Sequence, residues 1–285
     1  MQETVRSVVK TWELDALEHF TTAFYYRALS TATMRMTALL GYQPCSRAAP
    51  WTEYSWTKFL RELRAGDAYH VTSGLIEADA TSCTLGHRLV NSETGALCTT
   101  FLQRLSRPPR FNGRLDCIEW PDDEPERRAS LAEAARWVPA STTVVRPEDL
   151  DAAGRLDLSA LIHFTSDANV QFQNALGMTS SYMRDNRIGY STAEYQLSLR
   201  TAPPPVGTAL EIRSTIAHLG RSSLWFVHDI FDASEDIPLG RLTQMGVHLD
   251  LVARRPSPVP AAIRERAEVL MGEPAAAQPS ALPDE

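Results

Sequence analysis

The second half of this chain repeats the first, and nothing else in the sequence constrains the fold as tightly. Laid over itself with an offset of 136, the chain places Asp15 on Asp151, Ala16 on Ala152, Ser30 on Ser166, Ala32 on Ala168, Leu40 on Leu176 and Gly41 on Gly177. With an offset of 141, Glu53-Tyr54 falls on Glu194-Tyr195, Gly66 on Gly207, Ser73 on Ser214, Ser82 on Ser223, His87 on His228 and Gln103 on Gln244. The alternating positions Tyr69, Val71, Ser73 and Leu75 coincide with Leu210, Ile212, Ser214 and Ile216. The offset changes after Tyr42, where the second copy is five residues longer, over 178–193. Loops tolerate such insertions, so a tandem duplication is expected.

Each copy has the same reading. An extended segment leads into a long helix, expected over 22–40 and 159–176, and Gly41 and Gly177 stand where a helix end needs positive φ. Phe24, Ala28, Thr31, Met34 and Ala38 recur at helical spacing and are expected to form the apolar face of the first helix. Strands follow, clearest over 68–76, 82–91 and 98–105, with counterparts over 209–217, 223–231 and 241–252. One helix and a run of antiparallel strands, twice over, is an α+β pattern with each helix packed on a sheet. The expected organisation is a first repeat over 1–110, a connector with a short helix over 111–140 (the helix at 130–138), a second repeat over 141–262, and a helix with a disordered tail over 263–285.

The chain has 285 residues, 44% hydrophobic and 22% charged, enough for a sizeable core. A net charge of −7 argues against nucleic acid as a partner. No apolar run reaches the length of a membrane span, and the first residues carry no secretory signal. Cys45, Cys83, Cys98 and Cys117 lack CxxC spacing, which predicts a cytoplasmic protein with reduced thiols. Without HExxH, clustered ligands, GxGxxG, GxxxxGK[ST] or GxSxG, neither a metal, a nucleotide cofactor nor a serine hydrolase is expected; the cofactor reading is none.

The segment from Trp12 through Asp15 and His19 to Tyr25 resembles the start of hotdog-fold acyl thioesterases of the 4-hydroxybenzoyl-CoA thioesterase type. Asp15, His19 and Tyr25 match that pattern, whereas Thr22 stands for the usual Asn and Glu18 for the usual Gly. The second copy keeps Asp151 and Gly154 but has Arg155 for the His and Leu161 for the Tyr. The resemblance implies a double hotdog: two helices, each wrapped by a curved antiparallel sheet, forming an intramolecular pseudo-dimer with sites along the seam. A further homodimer is compatible with it.

The resemblance also implies an activity, hydrolysis of an acyl-CoA or acyl-carrier-protein thioester. Asp15 is then nucleophile or general base, assisted by His19. An acid on the strand after the helix works with a Gln in larger double-hotdog thioesterases, and Glu194 with Gln244 approximates that pair. Tyr25, Glu53, Asp151, Arg221 and Ser223 are candidate substrate contacts. The plainer reading of Asp15 is a helix cap, that of the strand acids a solvated edge, and that of His87 and His228 a satisfied core histidine. Arg107, Arg110, Arg254 and Arg255 fit CoA phosphates or a solvated basic rim equally well. The same fold carries dehydratases, hydratases, acyltransferases and cyclases of polyketide or fatty-acid pathways, and non-catalytic acyl binders, so these stand as alternatives.

Overall fold

The computed structural model describes residues 1–15, 17–110, 117–120 and 135–272. The first copy runs β1 (Gln2–Val8), α1 (Thr22–Leu39), β2 (Thr52–Phe59), β3 (Ala68–Ala78), β4 (Cys83–Asn91) and β5 (Leu97–Leu105). The second runs β6 (Val138–Val144), α2 (Leu158–Leu176), a short α3 (Ser180–Asn186), β7 (Ile188–Leu199), β8 (Ala209–Leu219), β9 (Ser223–Asp232) and β10 (Ile237–Asp250). A two-residue β11 (Arg255–Pro256) and α4 (Ala261–Met271) complete it. Most of the connector lies outside the described residues; 135–137 have no regular structure, and Val138, expected to end a helix, opens β6. Of the expected tail, only Gly272 is described. Among the described residues no helix is long and apolar enough to cross a membrane.

All the strands join one antiparallel sheet in the order β1-β3-β4-β5-β2-β7-β10-β9-β8-β6, with β11 on β10. Read outward from its centre, the order is the same in both directions, copy for copy. The copies join where β2 pairs with β7, and Trp56 stands opposite Gln196. Ser55 faces Gln103 while Tyr195 faces Gln244, so β2 maps onto β7 with an offset of 140, not 141. That offset makes Trp56 and Gln196 equivalent, and a pseudo-twofold axis passes between them. The expected match of Glu53 with Glu194 is thus one residue out of register. In a strand such a slip moves every side chain to the opposite face. Both copies bulge at equivalent positions, Glu53 and Ala193, so the offset of 140 holds along β2 and β7, and the step to 141 falls in the loop that follows, one residue longer in the second copy.

The two long helices lie against one another and against strands of both copies. Gly41 (φ 84°) and Gly177 (φ 87°) follow them in the left-handed region, as the sequence predicts. Of the face expected on α1, Ala28 is buried and Phe24 packs against the core, while Thr31, Met34 and Ala38 are exposed; the buried face runs through Ala23, Tyr26, Leu29, Ala32 and Met36. Ala23, Ala28 and Ala32 among the larger Tyr26, Leu29 and Met36 let α1 approach its neighbours closely. One cluster of buried side chains draws Tyr26, Leu29 and Phe101 from the first copy and Ile162, Tyr195 and Leu197 from the second.

Because that core belongs to both copies, truncating it should weaken both together. Leu197→Ala is expected to cost about 2–5 kcal/mol and to lower one shared urea transition. Two separate transitions, with only the second copy destabilised, would contradict a common core.

Candidate functional site

A tight turn precedes each long helix and is built identically in both copies. Asp15 Oδ1 accepts the backbone N–H groups of Leu17 at 2.8 Å and His19 at 2.9 Å. Asp151 Oδ1 accepts those of Ala153 at 2.8 Å and Arg155 at 2.9 Å. The turn needs positive φ at its fourth residue, met by Gly154 at 77° and, against the usual preference, by Glu18 at 62°. The aspartates therefore hold the turns, and the residue after each turn projects toward the seam. His19 Nε2 stands 3.2 Å from Glu62 Oε2, which also accepts Arg254 Nη2 at 2.6 Å. Arg155 instead pairs with Asp151 at 3.0 Å and donates across the seam to the carbonyls of Ala49 and Pro50, at 3.0 and 3.4 Å.

The strands supply a second motif. In the first copy Ser73 Oγ lies 2.7 Å from His87 Nδ1, and His87 Nε2 lies 3.2 Å from Gln103 Oε1. Gln103 Nε2 donates to Thr52 Oγ1 at 2.8 Å, and Thr33 Oγ1 donates to Gln103 Oε1 at 2.9 Å. The second copy repeats Ser214 Oγ with His228 Nδ1 at 2.7 Å and Gln244 Nε2 donating to Thr192 Oγ1 at 2.7 Å. Asn169 replaces Thr33 there, and its Oδ1 is buried without a hydrogen-bond partner, as is His228 Nε2. Burial pushes both histidines down to about 4, so each is a neutral core group at ordinary pH.

These motifs meet across the seam in two cavities. The larger, about 1680 Å³, takes Asp15, His19, Thr21, Thr22 and Tyr25 from the first copy and Asn169, Thr192, Tyr195 and Gln244 from the second. Tyr195 Oη lies 3.4 Å from Thr22 Oγ1, joining the start of α1 to the Gln244–Thr192 pair. Thr21, the residue at the head of α1, makes no side-chain cap, and its Oγ1 is buried and unpartnered. The smaller cavity, about 710 Å³, is the pseudo-symmetric twin, lined by Asp151, Arg155, Thr33, Thr52 and Gln103. There α2 is capped by Asp157, which accepts Ser159 N–H at 2.8 Å. One site is thus open with unpaired polar atoms, and its twin is closed by hydrogen bonds.

Of the residues singled out from sequence, Asp15, His19, Tyr25 and Gln244 line the larger cavity and Asp151 the smaller. Burial raises the Tyr25 hydroxyl well above its ordinary range. Glu194 does not reach Gln244. It lies on the face of β7 opposite the buried Tyr195 and accepts Gln196 Nε2 at 2.7 Å. Glu53 sits in the β2 bulge, and Arg221 and Ser223 at the β8–β9 turn; none of the three lines either cavity. Of the four candidate arginines, Arg254 reaches the larger cavity, while Arg107, Arg110 and Arg255 do not. Thr192, Asn169, Thr21 and Tyr195 escaped the sequence reading. A threonine 51 or 52 residues before each repeated glutamine was the available signal for Thr192.

The thioesterase-like superfamily profile matches residues 9–106 and 145–267. Among solved structures, an acyl-ACP thioesterase from Bacteroides thetaiotaomicron superposes with a TM-score of 0.61 at 10% identity, covering 85% of this chain and 96% of that one. A protein described as an oleoyl thioesterase from Lactobacillus plantarum gives 0.65 at 9% identity, over 86% and 95%. The 12:0-ACP thioesterase of Umbellularia californica gives 0.58 at 10% identity, over 86% and 93%. At these identities the structures speak for a shared fold, the double hotdog. A curated protein, Mucin-4 of Mus musculus, is 31% identical over 112 residues, 39% of this chain. The chain spans 3% of that protein's length, too little for a functional argument.

The buried histidines fix a pH response. An unfolded histidine titrates near ~6.5, so between that pH and about 4 the unfolded chain binds more protons than the folded one. Stability should therefore fall as pH drops through this window, by an order of a few kcal/mol in all. The urea midpoint near pH 5 is expected below that near pH 7.5, with the His87 and His228 imidazoles still neutral by NMR at about pH 5. Titration of those two rings near ~6.5 would contradict it.

Proposed function

The chain belongs to the thioesterase-like superfamily, and from that premise we propose that it hydrolyses an acyl thioester in the larger seam cavity. The observation that carries this reading is the meeting of an uncapped helix start from one copy with the Gln244–Thr192 pair and the unpartnered Asn169 Oδ1 from the other. A helix start offers unpaired backbone N–H groups and the positive end of a dipole. That is the environment a developing oxyanion requires. With the thioester carbonyl oxygen turned toward α1, its carbon is presented to a water held among Thr192, Asn169 and Gln244.

These three side chains orient a water but cannot accept its proton at neutral pH. His19 is the histidine among the lining residues, and Glu62 engages its Nε2. A neutral imidazole has one ring nitrogen free to accept a proton, which suits a general base. In this reading His19 takes the proton as the water oxygen bonds to the carbonyl carbon. The tetrahedral intermediate collapses, the C–S bond breaks, and the thiolate recovers the proton from His19. Asp15 acts through the turn it ties, as a positioning residue for His19. Arg155 stands where a twin site would need its base, and a guanidinium does not accept a proton there.

Thiol release across a panel of acyl-CoA and acyl-carrier-protein thioesters tests this. Gln244→Ala and His19→Ala are each expected to lower kcat/KM by about 10²-fold or more, whereas Gln103→Ala leaves it within about threefold. Equal losses at Gln244 and Gln103 would remove the distinction between the cavities. Loss of water from a 3-hydroxyacyl thioester with no thiol released would place the protein among dehydratases instead.

Asp15→Asn keeps the Oδ1 acceptor and is expected to retain kcat/KM within about threefold, while Asp15→Ala loosens the turn and lowers it further. A loss of about 10³-fold in Asp15→Asn would make the carboxylate itself a reacting group.

A further inference from the structure

Behind the Gln244–Thr192 pair stand two buried side chains with no part in the steps above. Ser214 on β8 stands opposite His228 on β9, and Gln244 on β10 lies diagonally across from His228. All three are buried, and Gln244 in turn reaches Thr192 on β7. One residue from each of four neighbouring strands thus forms a chain that ends in the larger cavity.

The first copy shows the same chain with every member paired. His87 Nε2 faces Gln103 Oε1, an oxygen that only accepts, so the ring proton sits on Nε2 and Ser73 Oγ donates to Nδ1. Thr33 Oγ1 donates to the same Oε1, which locks the amide with its nitrogen on Thr52. Thr4 Oγ1 closes the far end, 2.7 Å from Ser73 Oγ.

The second copy keeps the chain and changes the groups that lock it. Gln2 stands opposite Ser73 and Val138 opposite Ser214, so the counterpart of Thr4 is Ala140. Ser214 Oγ keeps His228 Nδ1 at 2.7 Å, which again places the ring proton on Nε2. Asn169 stands in place of Thr33. His228 Nε2 and Asn169 Oδ1, whose counterparts both bond Gln103, are buried without partners. Buried polar atoms in that state are costly, and a small swing of the Gln244 amide toward His228 recovers the bond that Gln103 makes.

We propose that His228, held by Ser214, is the positioning residue for Gln244 in thioester cleavage; the proposal rests on the hydrolase reading above. With the thioester bound, His228 Nε2–H donates to Gln244 Oε1 and fixes the amide that holds the attacking water beside Thr192. The ring keeps its proton throughout, so His228 positions and does not react. A bond gained only as the water is placed acts on the transition state, so its loss falls on kcat and leaves KM.

The twin chain supplies a matched control. His228→Phe and His87→Phe remove the same ring nitrogens from equivalent buried positions. Both are expected to lower the urea midpoint, but only His228→Phe lowers kcat, by about tenfold with KM within about twofold. His228→Gln, whose amide donates from the place of Nε2, is expected to hold kcat within about threefold of wild type. In a Gln244→Ala background, His228→Phe is expected to cost less than about twofold more. Should the phenylalanine variants fail to fold, Ser214→Ala is the milder change; it is expected to lower kcat about threefold, whereas Ser73→Ala leaves it unchanged. Equal kcat losses in the two copies, or a loss at His228 that persists in full without Gln244, overturn the proposal. Wild-type protein that releases thiol from no thioester overturns the hydrolase reading instead. The His228–Gln244 bond is then read by NMR with a non-hydrolysable thioester analogue bound. A His228 Nε2–H signal that moves downfield on binding, and fails to move in Gln244→Ala, supports the bond; no movement in the wild type contradicts it.

Discussion

The pairing of β2 with β7 is the constraint on which the rest depends. It puts Trp56 opposite Gln196 on a pseudo-twofold axis and fuses two repeats into one sheet. Because the strands are antiparallel, the turn before each helix is carried to the glutamine and threonine of the other copy. Each cavity is lined by residues of both repeats. With any other offset between the copies, the glutamines would face different neighbours, and the bulges at Glu53 and Ala193 would not set Thr52 and Thr192 beside them.

The same scaffold has then been used in two ways. In the smaller cavity Gln103 is bonded by Thr33, Thr52 and His87, and Arg155 ties its own turn to the opposite copy. In the larger cavity Asn169 Oδ1 and Thr21 Oγ1 are buried and unpaired. A buried polar atom without a partner costs about 1–3 kcal/mol. Such a cost is typical of sites held ready for a ligand, and the closed twin contributes cohesion in compensation. The asymmetry follows from a few substitutions at equivalent positions: His19 against Arg155, Thr33 against Asn169, Thr21 against Asp157.

Much of this architecture is legible in the sequence. The repeat, the helix-ending glycines and the paired serine, histidine and glutamine positions lie in regular elements, where period and side-chain identity survive duplication. The site was less legible. The loop after β7 holds one residue more than the loop after β2, so the offset of the later strands does not carry back to β7; Glu194 then looks like the partner of Gln244 when Thr192 holds that place. Asp15 matches reacting aspartates in type and spacing, but that its Oδ1 ties a turn shows only in the hydrogen bonds. Asn169 carried no signal at all, since its role appears only when α2 is set against a strand far away in the chain. Apolar residues stand on more than one side of α1, so spacing alone does not separate the buried Ala28 from the exposed Met34 and Ala38.

The two cavities differ above all in which of them can hold the reacting carbonyl. A crystal structure with a non-hydrolysable analogue, in which a ketone methylene replaces the thioester sulfur, decides it most directly. The ketone oxygen is expected within hydrogen-bonding distance of the first backbone N–H groups of α1, with Gln244 and Thr192 on the other side of the carbonyl carbon. Analogue seated instead beside Gln103 and Arg155, with the larger cavity vacant, would contradict the assignment of the reaction to the open half of the seam.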